Sequence, residues 1–175
     1  GLGNETVSIS DTSINASLLN TLDEKTTGII NASSVTFLAG AASDIVIAYA
    51  SAGIVDLGNH TVYISDILID ASLLNTLDEK TTGIISTASV TFLTGAVSEI
   101  VIAYESSGIN GLGNETVYIS ETSIDASLLN ILDEKTNGII DASNIETLTG
   151  EYSALIKAYN SSGTTGVGNE TVTIS

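Results

Sequence analysis

Apolar and polar residues alternate through Thr6-Val7-Ser8-Ile9-Ser10, a period of two that predicts a strand with Val7 and Ile9 facing inward. The same pattern stands at Thr61 to Ser65, Thr116 to Ser120 and Thr171 to Ser175, with the outward position of Ser8 filled by Tyr63, Tyr118 and Thr173. The period then lengthens. Leu18, Leu19 and Leu22 share one face of a short helix, with Asn15, Asp70 and Asp125 as N-caps accepting from first-turn amides. Thr27-Gly28 is expected to end that helix through a left-handed residue. Ile29-Ile30-Asn31-Ala32-Ser33 predicts a second strand, with Ile30 and Ala32 inward. Val97, Ile100, Val101 and Tyr104 follow the spacing of a second helix, opened at Thr94-Gly95 and closed at Gly108. A turn through Gly58-Asn59, residues that tolerate positive φ, leads into the next strand.

The pattern repeats without insertion or deletion. Ser17 to Ile30 returns almost unchanged at Ser72 to Ile85 and Ser127 to Ile140, a step of 55 residues. The chain therefore reads as one continuous array over 1–175: repeats at 1–55, 56–110 and 111–165, then the start of a fourth at 166–175. It has the look of a window onto a longer array. Strand-helix-strand connections of this length are right-handed parallel crossovers in nearly all proteins. Stepping always to the next neighbour, they predict a right-handed α/β solenoid of parallel strands with short helices on one face, two coils per repeat and seven strands in all. A doubly wound sheet would need a reversal of strand order, and a perfect repeat marks none.

The other face of such a sheet has no helix over it. Tyr63 and Tyr118, with Ile29, Ile84 and Ile139 from the alternate strands, are expected to form ladders there. Two readings stand: the side chains stack on one another, or they dock a second copy. A register with Ile29 buried and Ile30 exposed leaves the same face apolar.

Charge narrows the choice of partner. Twenty-one acidic residues against four lysines give a net charge of −17, which repels phosphate backbones and argues against nucleic acid. Charged residues at Asp44, Glu99, Glu105 and Lys157 interrupt the apolar helices, so no membrane insertion is expected. With no cysteine there is neither disulfide framework nor thiolate metal site. Asp11, Asp66 and Glu121 follow the first strand at equivalent positions, and Asp23, Asp78 and Asp133 end the first helix. Stacked, they form either solvated acidic ladders or, at Asp11, Asp66 and Glu121, a calcium site built from oxygen ligands. No other cofactor is expected. His60 fills the slot held elsewhere by Glu5, Glu115 and Glu170, and reads as a surface substitution. Gly111-Leu112-Gly113 lacks the third glycine of a dinucleotide fingerprint and precedes a strand instead of following one. Seven Asn-x-Ser/Thr sequons, at Asn4, Asn15, Asn31, Asn59, Asn114, Asn160 and Asn169, matter only in a host that glycosylates. No nucleophile stands with a nearby base, and no arginine is present to bind an anion, so no enzyme is expected.

The unit Val-x-Ile-Ser, Leu-Leu-Asn-x-Leu-Asp, Thr-x-Gly-Ile-Ile, Asp-Ala-Ser, Leu-Thr-Gly and Ser-Gly-Ile resembles the tandem arrays of very large secreted or surface proteins of bacteria, notably cyanobacteria and other marine species. The resemblance covers the whole chain. It implies an extracellular or cell-surface location and a structural or adhesive role, such as a filament, stalk, sheath or adhesin. Self-association end to end or through the open sheet face fits that role. The alternative is an adhesion module that binds calcium or glycan through its acidic and aromatic ladders.

Overall fold

The computed structural model describes residues 2–175; Gly1, the first residue of repeat 1, lies outside them. Repeat 1 runs β1 (Val7–Ser8), β2 (Ser13–Asn15), α1 (Ala16–Asp23), β3 (Ile30–Asn31), β4 (Phe37–Gly40), α2 (Ala42–Ala50) and β5 (Ile54–Val55). Repeat 2 runs β6 (Thr61–Ile64), β7 (Leu68–Asp70), α3 (Ala71–Lys80), β8 (Ile85–Ser86), β9 (Phe92–Gly95), α4 (Val97–Glu105) and β10 (Ile109–Asn110). Repeat 3 runs β11 (Thr116–Ile119), β12 (Ser123–Asp125), α5 (Ala126–Lys135), β13 (Ile140–Asp141), β14 (Thr147–Gly150), α6 (Tyr152–Asn160) and β15 (Thr164–Thr165), and β16 (Thr171–Ile174) follows.

The α/β class and the parallel winding hold: among the described residues, sixteen strands pair in parallel and six short helices connect them. The strand count differs from the expected seven. Each winding carries two strands in two different sheets, so strands two apart in sequence are neighbours. The sheets are β1-β3-β5, β10-β8-β6-β4-β2, β15-β13-β11-β9-β7 and β12-β14-β16. Ser13 pairs with Phe37 and Phe37 with Thr61, steps of 24 residues, whereas Val62 pairs with Ile85 after 23. Two such windings fall short of the 55-residue repeat. The remainder is the step from β6 to β7, which carries the chain into a new sheet. For that reason β6 pairs with β4 on one edge and β8 on the other, and β11 likewise with β9 and β13.

The chain forms two compact units. One runs to Asp66 and includes Leu73–Ser89 and Ser107–Gly111; the other comprises Ile67–Ser72, Val90–Ser106 and Leu112–Ser175. In the first, α1 packs on α2, and both pack on β4. Leu19, Ile30, Leu38, Ile45, Val62 and Ile85 are its fully buried core. In the second, α5 packs on α4 and α6 over Leu93, Ile100, Val117, Leu129, Ile140 and Leu148, again fully buried. Full burial of each such side chain contributes about 1.5–3 kcal/mol.

Local structure confirms some expectations and corrects others. Asn15, Asp70 and Asp125 cap their helices, accepting from Ser17 N (2.9 Å), Ser72 N (2.9 Å) and Ser127 N (2.8 Å). Ile30 and Ala32 are buried and Ile29 is exposed, which selects the first of the two registers. Leu18 does not join the apolar face: it is 64% exposed, and Ala16 is buried in its stead. Thr94-Gly95 ends β9 instead of capping a helix, and Ala96, at the cap position of α4, makes no side-chain cap bond.

Gly28 is needed for a different reason from the one expected. The helix before it stops at Glu24 in right-handed geometry. A Cβ on Gly28 would stand 2.0 Å from Glu5 O; on Gly83, 1.8 Å from His60 O; on Gly138, 2.0 Å from Glu115 O. Close approach of successive windings therefore excludes a side chain there. Positive φ appears instead at Gly113 (132°) and Gly168 (124°), in the turn before the strand.

Candidate functional site

Outward positions on the five-stranded sheet of the first unit are Ser13 and Asn15 on β2, Phe37 and Ala39 on β4, Thr61 and Tyr63 on β6, then Ile84, Ser86 and Asn110. None carries a carboxylate or an ammonium group, in a chain with 21 acidic residues. Phe37 and Tyr63 lie diagonally across β4 and β6 with ring centroids 5.9 Å apart. The second unit repeats the arrangement with Phe92 and Tyr118, also at 5.9 Å. Such tilted pairs contribute about 0.5–1.5 kcal/mol beyond their burial. All five residues of the expected interaction face, Ile29, Tyr63, Ile84, Tyr118 and Ile139, are exposed. Phe37 and Phe92 were missed because the strands that carry them run into helices without a polar break, so Phe-Leu reads as helical.

The carboxylates set out as calcium candidates have work within the fold. Asp66 Oδ2 accepts from Ala42 N at 2.8 Å, and Glu121 Oε2 from Val97 N at 2.8 Å. Each supplies, from 24 residues downstream, the cap that Ala41 and Ala96 cannot make at α2 and α4. Asp11, at the equivalent position, is exposed. Asp23 and Asp133 accept from Ser51 Oγ (2.6 Å) and Ser161 Oγ (2.8 Å), and those serines in turn accept from Gly53 N and Gly163 N. Among the described residues no group of three or more His, Cys, Asp or Glu side chains converges as a metal site.

A third arrangement joins the end of one winding to the turn that follows it. Tyr104 Oη donates to Glu115, whose Oε2 accepts from Gly113 N (2.9 Å) and Asn114 N (3.0 Å). From the next winding Thr136 donates to Gly113 O (3.2 Å) and accepts from Gly138 N (2.9 Å). Tyr159 and Glu170 repeat the bond, with Gly168 N and Asn169 N on the carboxylate. Burial pushes the Glu170 carboxyl up, but the bonds from Tyr159 and those amides outweigh it and hold it below its ordinary value. Burial first, then the Glu115 bond, pushes the Tyr104 phenol well above its ordinary range.

His60 occupies this slot in the remaining turn and is buried, 6% exposed, which corrects its reading as a surface substitution. Gly83 and Thr81 of the next winding close over it, with Thr81 donating to Gly58 O at 2.9 Å. Sequence alone carried a signal here: Tyr49, Tyr104 and Tyr159 recur with the period, eleven residues before His60, Glu115 and Glu170. Without a fold, nothing said that those positions touch.

The lysines make surface contacts. Lys135 pairs with Glu105 at 2.7 Å and Lys157 with Glu134, whose carboxyl the Lys157 hydrogen bond holds below its ordinary value. Exposed pairs of this kind contribute little to stability. Among the described residues no helix is long and apolar enough to cross a membrane. No protein-family model, curated protein or solved structure shows significant similarity to the chain.

Proposed function

We propose that the chain is a segment of an extracellular structural array, a building element of a filament, stalk, sheath or adhesin, and has no enzymatic role. The observation that carries this reading is the uncharged aromatic and aliphatic sheet face, which returns from one 55-residue unit to the next on parallel windings. Near-neighbour packing lets such windings be added without new design, so repetition supplies length. Acidic groups elsewhere keep copies soluble and apart, and the open face is where two copies meet without opposing carboxylates.

The ends offer a second contact. Strands β1 and β16 are each paired on one edge, whereas their equivalents β6 and β11 are paired on both. In β16, Val172 and Ile174 are 42% and 64% exposed, against 0% and 1% for Val117 and Ile119 in β11. An incoming strand from another copy would pair that edge and cover those side chains.

Sedimentation velocity at rising concentration tests the reading. The chain is expected to associate, and the quadruple substitution Phe37→Ser, Tyr63→Ser, Phe92→Ser, Tyr118→Ser is expected to weaken association through the face. A chain that stays a monomer at high concentration would overturn it.

A further inference from the structure

The turn from Asp56 to His60 is built differently from its two siblings. In those, a carboxylate gathers two backbone amides and a tyrosine hydroxyl. His60 offers one acceptor in place of several: Nδ1 takes the Gly58 N–H at 3.1 Å. Its other ring nitrogen donates to the Val35 carbonyl. Tyr49 Oη, the counterpart of the bonded Tyr104 and Tyr159 hydroxyls, is buried without a hydrogen-bond partner.

Both imidazole nitrogens are thus committed in the neutral ring. A second proton can be placed only on Nδ1, where its N–H would face the N–H of Gly58. The ring is almost wholly buried, so water cannot relieve two opposed donors, and such a loss costs about 1–3 kcal/mol. The backbone of this turn is also under more strain. Asp56 adopts φ 65° at the position where Gly111 (113°) and Gly166 (83°) stand in the other copies. A residue with a Cβ in that region costs about 1–2 kcal/mol, somewhat less for aspartate.

The surroundings do little to hold an imidazolium. Asp56 lines the same open groove of about 540 Å³ as His60, with its own side chain exposed to solvent, where screening weakens its attraction. Tyr49 faces the ring from α2 as a neutral phenol, raised from its ordinary value by burial. Val35 and the neighbouring Ser33 and Thr36, and Thr81 and Gly83 from the following winding, bring no charge.

We propose that the Asp56–His60 turn is an acid-labile joint: uptake of one proton at His60 Nδ1 breaks its bond to Gly58 and opens the connection between β5 and β6, while the turns held by Glu115 and Glu170 stay closed. An array made of such units would loosen at one turn and keep its other windings. Burial, set against the Val35 bond, holds the imidazole below its ordinary value, so the joint is closed at neutral pH. The folded value lies under the open-state value near about 6.5. The closed form is therefore fully favoured above that pH and loses ground as pH falls toward the folded value. Opening binds one proton, so its equilibrium constant rises by up to about tenfold per pH unit in that window.

Amide hydrogen exchange of the whole chain, followed by NMR from about pH 7.5 to about 5.5 around the ordinary histidine value and corrected for intrinsic rates, tests this. Protection at Gly58 is expected to fall by up to about tenfold per pH unit below about 6.5, while Gly113 and Gly168 keep theirs. His60→Glu is expected to abolish the onset and give Gly58 the behaviour of Gly113. His60→Gln, with nothing to titrate, should abolish it too. Equal losses at Gly58 and Gly113, no loss at Gly58, or an unchanged onset in either variant would overturn the proposal.

Discussion

Tyr104 donates its phenolic hydrogen to Glu115 across the junction between one winding and the next, in a slot where Glu115 is only 4% exposed. Tyr49 stands at the same place in the preceding repeat and makes no such bond. Internal repetition thus provides its own control for what the bond contributes.

Tyr104→Phe should cost about 1–2 kcal/mol, because it strips a donor from a buried carboxylate. Tyr49→Phe should cost less than about 0.5 kcal/mol, since the hydroxyl it removes has no partner. Urea denaturation midpoints of the two variants measure the difference. Equal losses would contradict the role given to the bond.

Tyr159 carries a pH dependence of its own. Its bond to Glu170, then burial, then the carboxylate charge push the phenol up to about 12. A folded value above the unfolded value near about 10 means that this contribution is fully present below about pH 10 and is lost as pH rises through the folded value. Phenolate absorbance should show one group titrating near that point, and Glu170→Gln should bring it down toward the ordinary value.

Asp66→Ala and Glu121→Ala should each destabilise the chain by about 1 kcal/mol, the usual cost of a lost helix cap. Calcium and chelator should leave the melting temperature unchanged in the parent and in both variants. A calcium-dependent rise in the parent that Asp66→Ala abolishes would assign these carboxylates to a metal instead.

Gly138→Ala places a methyl group 2.0 Å from Glu115 O, between two windings, with backbone on the far side. The windings must separate, at a cost of about 1–3 kcal/mol or more. Gly58→Ala meets nothing within 4 Å and should cost under about 1 kcal/mol. Thermal denaturation distinguishes them, and a tolerated Gly138→Ala would mean that the windings are not in contact there.

The elements that could be read from the chain are those whose periodicity is intact over a full turn or strand. Val62 and Ile64, or Ile30 and Ala32, alternate with polar residues, and the N-caps Asn15, Asp70 and Asp125 precede helical patterns directly. The two-residue strands such as Ile54–Val55, and Phe37–Gly40 running almost straight into α2, are too short or too uniformly apolar to show a period of two. The repeat length itself misled, since the steps between paired strands are 24 and 23 residues while 55 is the length after which the chain also shifts sheet. Asp66 and Glu121 looked like a ladder for cations because the amides they cap lie 24 residues back, a relationship visible only once the windings are stacked.

Cysteine cross-linking on the otherwise cysteine-free chain tests the stacking most directly. Ala39 and Tyr63 are paired in register on β4 and β6. Neighbouring strands run about 4.8 Å apart, within the span of about 4.4–6.8 Å that a disulfide bridges. Ala39→Cys with Tyr63→Cys should oxidise readily to an intramolecular disulfide, and Ala39→Cys with Thr61→Cys, two residues out of register, should not. Bridging of the second pair as fast as the first, or of neither, would contradict parallel windings set 24 residues apart.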